Sequence, residues 1–288
     1  MILSLRQIKG RIRSVESTKK ITRAMQMVST AKFKRSENML ETGRPYYRKL
    51  DSILTKLLLS LNPDQVKRHP LLEDREGGRK FALCMITSDS GLCSVYNNNI
   101  IRLTEKMLKQ RGKDNVKIIA VGRKGFVYFS KRGAQIVKSY LGLHGRYSAD
   151  IADKIAKDLI DMFLKHEADE IYIAHSHFES ATRYKPDIRK FLSITPPHPI
   201  KGELEFIADP GIDEILDDLI PKYLSIKMRL ILLDAFTTEH SSRTIAMQSA
   251  TDNAVELIDS LTLMRNKARQ ASITNQVLEV ATSAEALK

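Results

Sequence analysis

Three short stretches carry residue types that could do chemistry. In "HSH", His175 and His177 stand two apart, so a strand would present both imidazoles on one face. Two nitrogens begin a zinc site, but such sites use three or four protein ligands and no third is evident, so no metal site is expected. In "SDSGLCS", Ser90 or Cys93 could serve as a nucleophile. A tight turn after a strand explains the same residues: Gly91 tolerates positive φ, and Asp89 or Ser90 can cap the next helix. In "AVGRKG", a glycine turn follows a strand, yet Lys124 is followed by Gly125, which has no hydroxyl for magnesium, so an ordinary strand-to-helix turn is expected rather than a phosphate loop. No nucleophile elbow of the Gly-x-Ser-x-Gly type occurs. Cys84 and Cys93 lack zinc-type spacing and read as reduced thiols. No catalytic site assembles from these pieces, and no cofactor is expected.

The elements around them are more informative. "KFALCMITS", "VKIIAVG", "EIYIAHSHF" and "KFLSITPPHPI" read as strands. "YSADIADKIAKDLIDMFLK" reads as a helix, with Ile151, Ile155, Leu159 and Phe163 on one side. Strands alternating with helices from about residue 79 to 200 predict a Rossmann-like α/β domain with a largely parallel sheet. The chain ends differ from this middle. Leu5, Ile8, Ile12 and Val15 follow a coiled-coil rhythm, and Ile21, Met25 and Val28 resume it after a phase slip near residues 17–19. Gly43 and Pro45 mark a break or kink, Leu50 to Leu61 continues an apolar face, and "REGGRK" reads as a linker. From Lys222 to Lys288 there is neither Gly nor Pro, and Met247, Ala250, Ala254, Leu257, Leu261, Met264, Ala268 and Ala271 keep heptad spacing. A continuous helix of that length would run on the order of 100 Å.

A helix with such a seam needs a partner. The simplest arrangement is a long antiparallel coiled coil of the N- and C-terminal helices with the α/β domain inserted between them; homodimerisation is the competing one. The expected division is 1–78, the N-terminal coiled-coil helix; 79–200, the α/β domain; and 201–288, a linker and the C-terminal helix that pairs with 1–78. No apolar run reaches the ~18 residues of a membrane span. The basic start has no apolar core of signal-peptide length, and its heptad pattern continues into the chain, so it is expected to belong to the mature fold.

The formal net charge is +13. It concentrates at the start, in Arg6, Lys9, Arg11, Arg13, Lys19, Lys20, Arg23, Lys32, Lys34 and Arg35, against the single acid Glu16. So one-sided a run opposes its own fold by repulsion, and an acidic partner should neutralise it. Aromatics make up only 6% and Trp is absent, which disfavours base stacking; an acidic protein surface is the better match than nucleic acid, although a basic coiled-coil nucleic-acid adaptor is the alternative class.

Three separated stretches, "LRQIKGRIRSVESTKKITRAMQMVSTAKFKR", "SDSGLCSVYNNNI" and "TEHSSRTIAMQSATDNAVELIDSLTLMRNKARQASITNQVLEV", resemble the signatures of the gamma subunit family of F-type ATP synthases. The resemblance covers essentially the whole chain and implies a non-catalytic rotor shaft, with two terminal helices in an antiparallel coiled coil. It implies as partners the alpha and beta subunits of the catalytic head, the epsilon subunit and the c-ring, with no nucleic acid and no small-molecule substrate. It places the chain peripherally at the cytoplasmic face of a bacterial inner membrane, coupling proton flow, or sodium flow in a paralogous machine, to ATP synthesis or hydrolysis. Met25, Arg243, Arg269, Gln270 and Thr274 match family positions that contact beta. Ser94 and Val95 stand where the family has two glycines, and Arg265 stands where it commonly has Tyr. The cysteine-bearing redox insertion of chloroplast forms is absent, so thiol control is not expected.

Overall fold

The computed structural model describes residues 4–61, 68–73, 75, 80–194 and 211–286. The elements run α1 (Leu5–Ser60), β1 (Phe81–Ile86), α2 (Tyr96–Arg111), β2 (Val116–Val121), α3 (Arg123–Ser130), β3 (Ile136–Tyr140), α4 (Ala149–Leu164), β4 (Glu170–Ser180), β5 (Arg183–Leu192) and α5 (Ile212–Ala286). They form two compact units. One joins Met1–Ser29 to Thr244–Lys288, and the other is Thr30–Arg243.

In the larger unit the five strands lie in the order β3-β2-β1-β4-β5. β1 pairs in parallel with both β2 and β4, β2 with β3 in parallel, and β4 with β5 antiparallel. Every residue of β1 is buried, as expected for a central strand covered on both faces. Leu83 and Met85 face Ile100, Ile101 and Phe129 from α2 and α3. Ala82, Cys84 and Ile86 face Ile155, Leu159 and Phe163 of α4, together with Leu54, Leu58, Ile220 and Leu224 from the terminal helices. The two edge strands depart from expectation. β3 is short and mostly exposed, so it carries no apolar run to mark it. β5 begins at Arg183 and ends at Leu192, so only the start of "KFLSITPPHPI" is strand, and residues 195–200 lie outside the described ones. β5 holds Pro186, which an edge strand tolerates. Most of the "REGGRK" linker is also outside the described residues.

Gly43 and Pro45 do not end α1. Packing on both sides holds that stretch helical: Leu40 is buried with Phe178 and Leu233, and the Tyr47 ring stacks on Tyr223 at 5.7 Å. α5 likewise begins before the Gly- and Pro-free run and carries Pro221 inside it.

In the smaller unit the two chain ends pair with each other, which decides against homodimerisation as the means of covering the seam. Ile8 and Ile12 pack on Leu261, with Val15 and Ala268 beside them. The Thr22 and Thr251 hydroxyls are 2.8 Å apart, and Gln26 Nε2 donates to Gln248 Oε1. These contacts fix an antiparallel register. The seam differs from the one expected on both helices. On α1 it runs without a phase slip through Ile8, Ile12, Val15, Lys19, Thr22, Gln26 and Ser29, while Ile21 and Val28 are each 58% exposed and Met25 is half-buried. On α5, Met247, Ala254, Leu261 and Ala268 keep the seam; the intervening positions are Thr251, Ile258 and Arg265, one residue after Ala250, Leu257 and Met264. Leu257 and Met264 are about half exposed, and Ala271 is exposed. Polar residues are tolerated in the seam because one of the two Thr hydroxyls donates to the other, which in turn donates to its own helix carbonyl, at Lys19 or Met247.

This pair gives a stability prediction. Thr22→Val alone leaves the buried Thr251 hydroxyl without its cross-helix partner and is expected to cost about 1–2 kcal/mol, whereas the double change to Val at 22 and 251 should cost much less than the sum. Urea unfolding of the three variants checks it, and simple additivity would count against a coupled pair.

Candidate functional site

Two features stand out from the framework. The first is a joint in the larger unit. Ile231 to Arg243 is buried at every position, on all faces of α5, although it contains Asp234, Thr237, Thr238, Glu239, His240, Ser241, Ser242 and Arg243. A helix this polar is buried only if its side chains find partners. Most do, and chiefly on backbone carbonyls of the α/β domain. Ser242 Oγ donates to the Cys93 carbonyl at 3.0 Å, Thr238 Oγ1 to Ser176 O at 3.4 Å, and Ser241 Oγ to Ala181 O. His240 Nε2 lies 2.9 Å from Gly145 O. Burial pulls the His240 imidazole down to about 4, so it is neutral at ordinary pH. Gly145 has φ +64, and a Cβ there would sit 2.5 Å from the His240 ring, so this close approach requires glycine.

Arg243 is the centre of the joint. Its guanidinium donates to Ser90 O and Ser90 Oγ, both at 3.2 Å, and to Gly91 O at 3.3 Å, and it lies 2.9 Å from Glu239 Oε1. Glu239 is 1% exposed, and burial raises its pKa against the opposing pull of Arg243. Among the described residues neither of its carboxylate oxygens has a well-aligned hydrogen bond, so the carboxylate depends on that ion pair.

The "SDSGLCS" turn is thus a clamp seat. Positive φ falls on Leu92 (62°) and Ser94 (52°), not on Gly91. Asp89 caps no following α2; its carboxylate accepts N–H bonds from Arg123, Gly142 and His144 at 3.0, 3.0 and 2.7 Å. Burial works against its ionisation, but these three bonds outweigh it and hold the carboxyl below its usual range. The same contacts occupy the "AVGRKG" turn: Arg123 N–H bonds Asp89, Lys124 N–H bonds Ser88 O, and Gly125 N–H bonds Thr87 Oγ1. The donors a phosphate would use are taken by the chain itself. Cys93 is buried, with its thiol pKa raised chiefly by burial, and Cys84 is pushed up to about 12, so neither is a nucleophile at neutral pH. Ser94 occupies a left-handed conformation that glycine adopts without strain, so Ser94→Gly is expected to stabilise the chain by about 0.5–1 kcal/mol in chemical unfolding. An unchanged or lowered midpoint would show that the serine is compensated locally.

The second feature is the outer surface of the smaller unit. Its seam is half polar, and its outside carries Ile21, Met27, Val28, Leu257, Leu263 and Met264, all 48–64% exposed. The exposed Arg6, Lys9, Arg11, Arg13, Lys20 and Arg23 lie on the same stretch of α1. After Ala268 the register runs past the start of α1, and α5 is exposed at every position from Arg269 to Ser283. Ile273, Val277 and Val280 repeat there at helical spacing, 52–70% exposed. Apolar surface this extensive marks a protein contact.

The five residues singled out from the sequence divide between the two features. Arg269, Gln270 and Thr274 lie together on the exposed end of α5, where Thr274 Oγ1 also donates to Gln270 O at 3.0 Å. Met25 is half-buried on α1 of the same unit. Arg243 belongs to the larger unit and faces inward. Sequence reasoning missed Glu239 and His240, and it gave Asp89 a helix-capping role in place of its bonds to Arg123, Gly142 and His144. The signal was available in "TTEHSSR", a polar run inside a helix too long to be explained as a solvated face.

One unit is a helix pair with apolar and basic outer faces, and the other is an α/β domain that seats a polar stretch of α5; this is the make-up of a shaft-type subunit. Comparison gives its family. The family model described as "ATP synthase" matches residues 4–287. The chain is 39% identical over 284 residues to the ATP synthase gamma chain of Moorella thermoacetica, covering 99% of each, and 38% identical over 289 residues to that of Anaeromyxobacter sp., also 99% of each. A chain of the Euglena gracilis mitochondrial ATP synthase, solved as "OSCP/F1/c-ring, rotational state 3", shares the fold with TM-score 0.71 at 16% identity, covering 98% of this chain and 94% of that one. This chain belongs to the ATP synthase gamma chain family, the non-catalytic central-stalk subunit of the rotary machine. It is part of a membrane-associated complex, and among the described residues no helix is long and apolar enough to cross a membrane.

Proposed function

We propose that the smaller unit turns inside a ring of alternating alpha and beta subunits, while the α/β domain, with epsilon, stands on the c-ring at the cytoplasmic face of a bacterial inner membrane. Proton flow turns the ring, and the joint around Arg243 passes the rotation into the helices. Segments 1–78 and 201–288 then supply the shaft and 79–200 its foot. As the shaft turns, each beta subunit meets a different face, and the differential contacts bias its conformational equilibrium.

The observation that carries this reading is the inversion of the helix pair. A coiled coil stable by itself hides its apolar residues in the seam; this one places Thr22, Gln26 and Thr251 there and leaves Ile21, Val28, Leu257 and Met264 outside. Such a pair is built to be sheathed. Within the proposal Arg269, Gln270, Thr274 and Met25 touch beta, the exposed cations answer acidic beta loops, and Arg243 acts by positioning the Ser90–Gly91 turn. The test is affinity recovery of the tagged chain from gently solubilised membranes. Co-recovery of alpha, beta, epsilon and c subunits with ATPase activity is expected; recovery of the chain alone would overturn the proposal.

A further inference from the structure

A cavity of about 250 Å³ lies in the larger unit between β4, β5, α1 and α5. Its lining is unlike the rest of the core. Arg44, Arg48, Arg189, Lys190 and Lys227 all reach it, and Asp234 is the carboxylate in its lining; Arg189 is paired with Asp187 at 3.1 Å and Lys190 with Glu170 at 3.2 Å. The Asp234 carboxylate is already engaged: Oδ1 lies 3.0 Å from Arg44 Nη2, and Oδ2 lies 2.8 Å from His177 Nδ1. Lys227 sits among aromatic rings, 5.4 Å from the Phe191 centroid and 5.6 Å from that of Tyr223, and among the described residues no carboxylate is in ion-pair contact with it. His175 also lines the cavity, is 2% exposed, and its Nδ1 has no hydrogen-bond partner among the described residues.

A cation placed like Lys227 is not kept in a partly dry cavity without compensation. The two imidazoles and Asp234 offer three ligand atoms within 4.8 Å of one another, which would satisfy the geometry of a metal site. The surrounding charge opposes a dication, because Arg44 is already in contact with the carboxylate of the lining and Lys227 and Arg48 add positive charge to the space. The same charge favours an anion. A volume of about 250 Å³ is below the ~300–1,000 Å³ of sites that enclose a drug-sized ligand, so a compact oxyanion or a phosphoryl head fits and a whole nucleotide does not.

We infer that this cavity is a binding site for a phosphate oxyanion, held by Lys227 and Arg48, with Arg44 and Arg189 completing the positive field. Arg and Lys supply the donors such an anion takes: Arg in a planar fork, Lys as a point charge. The site is independent of the shaft's contacts with its ring, so its failure and failure of the rotor reading are separable.

Calorimetric titration of the full chain with inorganic phosphate, at ionic strength matched with chloride, tests the inference. Saturable binding is expected, weakened about tenfold or more by Lys227→Met and by Arg48→Gln. Arg48 is exposed and Lys227→Met removes an unpaired charge, so both variants should fold, and their unfolding midpoints verify this. A parallel titration with ADP separates the sources: competition with phosphate would identify a nucleotide's phosphoryl end as an occupant, and no competition would leave free phosphate. Absence of saturable phosphate binding overturns the inference, as does binding that both variants leave unchanged. Tight zinc binding abolished by His177→Ala, with no phosphate binding, would replace it with a metal site.

Discussion

Arg243→Ala is expected to destabilise the chain by about 3–5 kcal/mol, more than any other single substitution of a charged residue in the joint. The guanidinium is 6% exposed and has acceptors on Ser90, Gly91 and Glu239 at once. Its loss leaves the Glu239 carboxylate buried without a counter-charge. Arg243→Lys should recover only part of the loss, since an ammonium cannot span those acceptors in the same plane. The pH dependence separates charge from packing. Burial already raises the Glu239 pKa, and removing Arg243 raises it further above the unfolded value. The folded variant then binds more protons than the unfolded chain, so its stability falls as pH rises through that range; the deficit should be larger at about pH 8 than at about pH 5.5. Guanidinium unfolding at the two pH values measures this. A deficit independent of pH would assign the effect to lost packing instead.

The second large effect is expected in coupling. Arg269 lies on α5 at the start of the stretch to Ser283 that is exposed at every position. Arg269→Glu should therefore leave folding and assembly close to normal. If the exposed cations meet acidic loops of beta, reversal there places like charges together, which costs several kcal/mol in contacts made during rotation. ATP-driven proton pumping in membrane vesicles is expected to fall about tenfold, with ATP hydrolysis reduced less. Normal pumping by this variant would refute a beta contact at Arg269.

The α/β domain could be read from the sequence because its central strands are continuous apolar runs and α4 is strongly one-sided. The edge strands were harder: β3 has the composition of exposed chain, and β5 lies mostly before the segment that looked apolar. The helix pair was misread in an instructive way. Apolar residues mark burial only when the chain itself provides the cover. Ile21, Val28, Leu257 and Met264 have helical spacing because they form a face, but the face is turned outward. Thr22 and Thr251 gave no hydrophobic signal, since their burial depends on each other across 229 positions of sequence. The joint stayed hidden for the same reason. Each of its polar side chains looks solvated until the carbonyl that receives it is known, and those carbonyls belong to distant loops. The third member of the His175–His177 cluster, Asp234, comes from α5 and could not be placed beside them by spacing.

The bonds of the joint leave α5 in different directions. Thr238 and Ser241 reach the β4 carbonyl of Ser176 and the β4–β5 turn at Ala181, His240 reaches the loop at Gly145, and Ser242 and Arg243 reach the turn from Ser90 to Cys93. A grip that closes from several sides would resist twist in either sense. Clockwise and counter-clockwise torque load different members of the same set, and each set is anchored in rigid sheet or tight turn. In the proposed shaft, the coupling between foot and helix would therefore work in both directions. The direction in which the shaft is driven is left to the energy sources at its two ends.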